Sequence, residues 1–151
     1  MFNASHLHLM LNHIPIIGTI IVLFFFTFAV IYKRENNIKQ SFIFYIAIAI
    51  MAEFVFATGD PSAEIIKKIG GINESLIEEH ENYAFISLMF FILMGVISMY
   101  ALYLYKKSKI VPAWLKYSAV VISFISVLSV AYTAKTGGEI MHPEITNELK
   151  N

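Results

Sequence analysis

The sequence contains no cysteine. Disulfides, thiolate metal sites, iron–sulfur clusters and covalently attached c-type haem are therefore excluded. Any bound metal would need nitrogen, oxygen or methionine sulfur ligands. Charged residues are also scarce, because they make up 15% of the chain, against about 25% in soluble proteins.

Nonpolar residues are correspondingly frequent. Hydrophobic residues form 58% of the chain and the mean hydropathy is +0.67, so we predict a membrane protein. A length of 151 residues predicts a single domain, 1–151. The lysines form no basic stripe, which argues against a nucleic-acid partner. Residues 1–12 lack the basic region of a secretory signal, so the first nonpolar run is expected to be a retained helix.

Four nonpolar segments are candidates for membrane spans: 15–32, 41–58, 83–105 and 113–134. With a rise of about 1.5 Å per residue, each can just cross a hydrocarbon core of about 30 Å. Lipid forces such segments to be helical, because their backbone groups have no water to bond. The predicted fold is therefore all-α, a bundle of four transmembrane helices that run up, down, up and down.

The charges of the connecting segments predict the orientation of the bundle. The two short connections are basic, and the long connection at 59–82 is acidic. The positive-inside rule places the short connections in the cytoplasm and both termini outside. We therefore expect a multi-pass protein of a bacterial inner membrane, with the lipid bilayer as its first partner.

The long outer connection is expected to contain a short interfacial helix. Asp60 and Pro61 suit the N-cap and first position of that helix, and the glycine pair at 70–71 would end it. Such a helix would lie over the mouth of the bundle. Asn73 then caps a second helix, which continues through His80 into the third span.

All five histidines fall on the predicted outer side: His6, His8, His13, His80 and His142. Neutral imidazoles can ligate a metal ion or a haem iron. Pro15 fixes the place of His13 just before the first span. Helical spacing puts His80 on the less charged, inward face of its helix. His6 and His8 are weaker candidates because they lie near a terminus that could fray.

Some carboxylates near the same side are also candidate functional residues. Glu53 lies about two turns inside the second span, where an ionisable group is normally paired or functional. Lys135 is its candidate ion-pair partner. Glu139 and His142 have the Glu-x-x-His spacing of di-iron bundles, provided that this segment is helical. The glycine pair at 137–138, however, favours a helix end before Glu139 and His142, which would remove this helical spacing.

The leading hypothesis is a b-type haem near the outer face. His13 and His80 belong to the first and third spans, which are diagonal in such a bundle and could bracket a porphyrin. His142 is a substitute ligand, or part of a second site with His6 or His8. The cytoplasmic face has no histidine, so a second bis-histidine haem is not available there. Electrons would enter and leave on the outer side, from a quinol or an external redox protein.

Two alternatives remain open. The first is a non-haem site for one or two zinc, iron or copper ions, since imidazole and carboxylate suit these metals. Its candidate ligands are His13, His80, His142, Glu53, Glu79 and Glu139. The second is a non-catalytic accessory subunit, in which the outer polar groups form a hydrogen-bonded plug. The two halves of the chain both resemble helical hairpins with basic turns, but no residue-level repeat between them is evident.

Several short motifs occur in a characteristic order: His13-Ile14-Pro15-Ile16-Ile17-Gly18, Thr58-Gly59-Asp60, Glu79-His80 and Gly137-Gly138-Glu139. In this order they resemble an uncharacterised bacterial family of four-helix integral membrane domains, and the likeness covers nearly the whole chain. The resemblance implies a four-helix membrane fold and no established activity. The chain is more loosely similar to membrane cytochromes b, through inward histidines in a small bundle.

Overall fold

A computed structural model of the protein describes residues 4–69 and 73–142, and over these ranges the regular structure is entirely helical. The helices within these ranges are α1 (Ala4–Leu11), α2 (His13–Ile31), α3 (Glu35–Ala57), α4 (Gly59–Ile69), α5 (Glu74–Lys106) and α6 (Ala113–Met141). The predicted all-α class is therefore confirmed.

Four stretches are long and nonpolar enough to cross a membrane: Ser5–Ile31, Glu35–Lys68, Glu74–Lys106 and Ala113–Met141. They cover the four segments predicted from the sequence, apart from residue 32, which supports a multi-pass helical protein. The helices are longer than the nonpolar runs because polar residues at their ends continue the helical hydrogen bonding.

The four long helices α2, α3, α5 and α6 pack in a ring. α3 packs against α2 and α5, and α6 closes the ring by packing against the same two helices. Within the described residues the backbones of α2 and α5 do not approach each other closely, so these two helices are diagonal. Phe26, Phe42 and Met94 are buried in the core. A Cβ on Gly95 would lie 3.1 Å from the Cβ of Ala49, so glycine allows α3 and α5 to approach closely.

The boundary between α1 and α2 has an identifiable cause. Pro15 has no backbone N–H, and its ring crowds the carbonyl four residues earlier, at Leu11. Only Asn12 separates α1 from α2, and its backbone keeps helical angles (φ −61°, ψ −26°), with its N–H bonded to the carbonyl of His8 at 3.0 Å. The Nδ1 atom of His13 lies 3.0 Å from the carbonyl oxygen of Leu9, so a side chain bonds to the backbone across this boundary.

One end of the ring is joined by polar contacts around Glu35. This carboxylate accepts a hydrogen bond of 2.6 Å from the hydroxyl of Tyr105 and forms an ion pair with Lys116. The start of α3, the end of α5 and the start of α6 therefore meet here. We call this the basic end, because Lys33, Arg34 and other lysines flank it. The opposite end, which carries His8 and His80, is called the histidine end.

The predicted helix signals have different outcomes. Asn73 caps α5, since its Oδ1 accepts a hydrogen bond of 3.0 Å from the backbone N–H of Ser75. α4 begins at Gly59 and ends at Ile69. Its predicted stop at 70–71 lies outside the described residues. The prediction that the glycines at 137–138 end the fourth helix is wrong, because α6 continues through them to Met141.

Candidate functional site at the histidine end

A cavity of about 390 Å³ opens at the histidine end, and residues from all six helices line it. This volume is within the range of about 300–1,000 Å³ that is typical of small-molecule and cofactor sites. The wall is mainly nonpolar. The imidazoles of His8 and His80 are both part of it.

His8 is oriented by the end of α3. Its Nδ1 lies 3.1 Å from the carbonyl oxygen of Val55 and 3.0 Å from the hydroxyl oxygen of Thr58. The Thr58 hydroxyl donates to the same carbonyl at 2.6 Å. A carbonyl oxygen only accepts, so Nδ1 carries the proton and donates. In the neutral ring, Nε2 is then the unprotonated nitrogen that can ligate a metal.

His80 has the same environment on α6. Its Nδ1 lies 3.0 Å from the carbonyl oxygen of Thr133 and 3.1 Å from the hydroxyl oxygen of Thr136. The Thr136 hydroxyl donates to that carbonyl at 2.9 Å. The same reasoning leaves Nε2 of His80 unprotonated. Two imidazoles therefore have their Nδ1 atoms engaged by the protein backbone and their Nε2 atoms available for a ligand.

The separation of the two rings is compatible with a metal ion between them. Their centroids are 6.5 Å apart and their planes are inclined at 81°. Metal–imidazole bonds are about 2 Å long and the ring centre is about 1.2 Å from each nitrogen, so imidazoles on opposite sides of one metal ion have centres about 6.4 Å apart. The same separation and inclination also lie within the range of a direct edge-to-face ring contact, which is about 4.5–7 Å.

A glycine follows each of the two threonines and leaves room for the imidazole. A Cβ added to Gly137 would lie 3.1 Å from Cε1 of His80, which is tighter than ordinary contact. A Cβ added to Gly59 would lie 3.9 Å from Cε1 of His8. The close approach of His80 explains why α6 has a glycine inside the helix, where glycine normally costs stability.

The two halves of the chain are therefore related at the residue level, contrary to the sequence analysis. In each half, a histidine bonds to a carbonyl group, and a threonine and a glycine follow that carbonyl three and four residues later. The two segments are 55–59 and 133–137. The shared Thr-Gly pair after the second and fourth nonpolar runs is the sequence signal that could have revealed this correspondence.

The structure brings His8 beside His80, where the sequence favoured His13. His13 is exposed, and its Nδ1 bonds to Leu9 within the same stretch of chain. His142 is exposed at the end of α6. Both border the cavity. His6 is exposed on α1. His8 is held in place because α1 is ordered by packing against α4, α2 and α3.

The candidate carboxylates lie elsewhere. Glu53 is exposed on α3. The predicted ion pair of Glu53 with Lys135 is wrong, because Nζ of Lys135 lies 3.5 Å from Oε1 of Glu139 instead. Glu79 accepts a hydrogen bond of 3.3 Å from the hydroxyl of Tyr132. Over residues 4–69 and 73–142, no group of three or more histidine, aspartate or glutamate side chains is placed to hold a metal ion.

One further polar group in the cavity wall is unsatisfied. The side-chain oxygen of Asn12 is buried and has no hydrogen-bond partner within the described part of the chain. Buried polar atoms are nearly always paired in native proteins, so such an exception often marks a place that a water molecule or a ligand completes. Asn12 joins α1 to α2, next to the helix that carries His8.

Comparison of the chain with protein-family models, curated proteins and solved structures finds no match. The resemblance to an uncharacterised membrane family therefore stays a prediction, and the function has to be argued from the site.

Proposed function

We propose that the protein binds one b-type haem between His8 and His80 and uses it as a one-electron redox centre. The observation that carries this proposal is the pair of imidazoles on the cavity wall, with centroids 6.5 Å apart and with both Nδ1 atoms hydrogen-bonded to backbone carbonyls. Backbone bonds of this kind fix the tautomer of a ligating histidine and raise its basicity.

The small number of ligands favours haem over a bare metal ion. Structural and catalytic sites for zinc and similar ions use three or four protein ligands. The described residues offer no such group. A porphyrin supplies four nitrogens to its iron, so two imidazoles complete the coordination. The nonpolar wall of the cavity also suits a largely apolar macrocycle.

The proposal extends to orientation. We place the basic end in the cytoplasm and the histidine end outside a bacterial inner membrane, in an up-down-up-down bundle with both termini outside. α4, which carries charged residues beside a nonpolar stripe, then lies at the outer interface over the bundle. The haem exchanges electrons on the outer side, with a quinol or an external redox protein as partner.

The visible spectrum of the protein purified in detergent tests the proposal. We expect a red protein whose Soret band shifts on reduction, with the spectrum of six-coordinate iron held by two imidazoles. His80→Ala should lower haem affinity by roughly 100-fold or more, because even outer-shell partners of metal ligands are worth about 10- to 100-fold. His8→Ala should remove the bis-imidazole spectrum.

His13→Ala and His142→Ala serve as matched controls, because both histidines border the same cavity but lie outside the proposed pair. They should keep the bis-imidazole spectrum. A colourless protein that takes up no added haem would contradict the proposal. Stoichiometric zinc, iron or copper in a porphyrin-free preparation would favour the non-haem alternative instead.

A further inference from the structure

The two halves of the chain correspond along their whole length, well beyond the residues that hold the imidazoles. The first half consists of α1, α2 and α3, and the second consists of α5 and α6. α1 and α2 form one span, Ser5–Ile31, which runs from the histidine end to the basic end, as α5 does. α3 and α6 both return from the basic end to a Thr-Gly pair at the histidine end.

The buried faces of α2 and α5 are in register. Every buried residue of α2 has a buried equivalent in α5, 72 positions later in the chain, and His8 and His80 are separated by the same 72 positions. Because all the pairs share one spacing, the two helices turn the same face to the interior. The buried pairs are Pro15 and Ser87, Thr19 and Phe91, Val22 and Met94, Phe26 and Ser98, and Ala29 and Ala101.

The helices α3 and α6 are in register in the same way, with a spacing of 78 positions. The carbonyl groups of Val55 and Thr133, which bond to the two imidazoles, have this spacing, and so do the Thr-Gly pairs that follow them. No buried residue of either helix has an exposed equivalent in the other. The pairs that are buried in both helices are Ser41 and Ala119, Tyr45 and Ser123, Ile48 and Ser126, and Ala52 and Val130.

Both halves also turn at the basic end through the same backbone motif. Lys33 in the first turn and Ser108 in the second have positive φ angles, of 52° and 53°. Arg34 and Lys109 each donate their backbone N–H to the carbonyl five residues earlier, at 2.9 and 3.0 Å. These bonds are typical of the Schellman motif at a helix C-terminus. A positive φ is uncommon outside glycine, so its presence at the same point of both turns strengthens the correspondence.

A twofold axis relates the two halves, and two contacts place it. Exchange of α2 with α5 and of α3 with α6 maps the ring of helices onto itself. Equivalent residues that contact each other lie beside the axis that relates them. Tyr45 and Ser123 are such a pair, with their hydroxyl oxygens 2.5 Å apart in the core. His8 and His80 are a second pair, with ring centroids 6.5 Å apart. The axis therefore runs along the bundle and passes through the cavity.

We infer that the chain is a duplicated unit of two helices, and that the cavity binds a single ligand on the twofold axis between the two copies. Binding sites of membrane proteins often lie at the interface between such repeats. The unprotonated Nε2 atoms of His8 and His80 are equivalent under this symmetry, so the ligand is one that accepts an electron pair on two opposite faces. The duplication is independent of the ligand, whereas haem as that ligand rests on the proposed function.

The core beside the axis allows the symmetry to be tested without any ligand. The first copy contributes Phe26 and Tyr45, whose rings are 5.7 Å apart, and the second copy contributes their equivalents, Ser98 and Ser123. All four side chains are buried, with at most 2% of their surface exposed. Two large side chains of one copy therefore face two small side chains of the other, which is how a close-packed interior is filled.

Exchange of these residues across the axis is the test. The variant Phe26→Ser/Tyr45→Ser/Ser98→Phe/Ser123→Tyr keeps the composition and the total volume of the core. If the two copies are equivalent, the aromatic pair packs from the second copy as it did from the first, and the variant in detergent should melt within about 5 °C of the wild type. Failure of this variant to fold would refute the duplication.

The matched control moves the same two aromatic residues to buried serines that are not their equivalents. These are Ser87 on α5 and Ser126 on α6. The variant Phe26→Ser/Tyr45→Ser/Ser87→Phe/Ser126→Tyr has the same composition as the exchange variant but leaves a cavity at one place and overpacks another. It should melt about 10 °C below the wild type or lower. Equal losses in the two variants would refute the duplication.

Haemin titration tests the shared site. His8→Ala and His80→Ala should lower the affinity for haemin by factors that agree within about fivefold, because each removes one of two equivalent nitrogens. A larger difference would place the ligand on one side of the axis and overturn the shared site. His142→Ala is the control and should keep the wild-type affinity. Absence of haemin uptake by the wild type would overturn the proposed function, whereas the melting temperatures of the two core variants would still decide the duplication.

Discussion

His8 and His80, each with its carbonyl and threonine partners, form two half-sites of the cavity. The two half-sites have the same hydrogen bonds but belong to different kinds of helix. In both, a backbone carbonyl and a threonine hydroxyl lie 3.0–3.1 Å from Nδ1. His80, however, belongs to a helix of 33 residues inside the ring, whereas His8 belongs to a helix of 8 residues beside it. The same side-chain contacts are therefore made from a long helix inside the ring and from a short helix packed beside it.

The largest difference in haem affinity between the two half-sites is expected from Gly137→Ala. The added methyl would lie 3.1 Å from Cε1 of His80, and the two oxygens that hold Nδ1 prevent the ring from shifting freely. Overpacking of this kind costs about 1–3 kcal/mol, which corresponds to roughly a 5- to 150-fold loss of haem affinity. Haem titration of the protein in detergent measures it.

Gly138→Ala is the matched control for that substitution. It adds the same methyl to the next residue of α6, where nothing lies within 4 Å, so haem affinity should not fall. Gly59→Ala should also be tolerated, because its methyl would make an ordinary contact of 3.9 Å with His8. Equal losses of affinity in Gly59→Ala and Gly137→Ala would remove the difference between the two half-sites.

Intermediate effects are expected from Thr58→Val and Thr136→Val. Each removes a hydroxyl beside Nδ1 and keeps the carbonyl, so the loss is about 1 kcal/mol, or about fivefold in haem affinity. The two losses should be similar, because the two hydrogen bonds have nearly equal lengths. An unchanged haem affinity in either variant would contradict the role of that hydroxyl in holding its imidazole.

The smallest effect is expected from Ser62→Ala. The contacts between Ser5 and Ser62, at 3.3 and 3.5 Å, are longer than good hydroxyl hydrogen bonds, so their loss should lower haem affinity by about twofold at most. Ser129→Ala removes a bond of 2.8 Å to Ser87 between α5 and α6, so it should lower thermal stability more than Ser62→Ala does. A larger loss of haem affinity in Ser62→Ala than in Thr58→Val would contradict this order.

The fold was largely predictable because its signals are long or local. Four nonpolar runs predict four helices without any knowledge of their packing, since lipid permits little else. Asn73 caps α5 through a contact within two residues, so a short motif was sufficient to place that helix start. Pro15 likewise marks the boundary between α1 and α2, which the structure has at Asn12.

The site was harder to predict because it depends on contacts between distant helices. His8 looked like a terminal residue, yet its partners Val55 and Thr58 lie 47 and 50 residues away in the chain. Gly137 has the local character of a helix end, but the ring of His80 needs its missing side chain. Only the packing of α5 against α6 distinguishes these two roles of glycine.

Glu53 and Lys135 illustrate a similar difficulty. Their positions near the same end of two spans suggested an ion pair, but Glu53 is exposed on α3, which is diagonal to α6 in the ring. Lys135 instead has an acceptor one turn away on its own helix, at Glu139. Depth along a span was readable from the sequence, whereas the direction in which each side chain points around its helix was not.

The carbonyl groups of Val55 and Thr133 also have an electrostatic consequence for the proposed haem. The Val55 carbonyl is among the last of α3, where a helix carries partial negative charge. Both carbonyl dipoles direct their negative ends at the imidazoles and make them stronger electron donors. Ferric iron carries one more positive charge than ferrous iron, so this arrangement stabilises the oxidised form. The site is therefore expected to have a lowered midpoint potential, which suits a centre that passes its electron on readily.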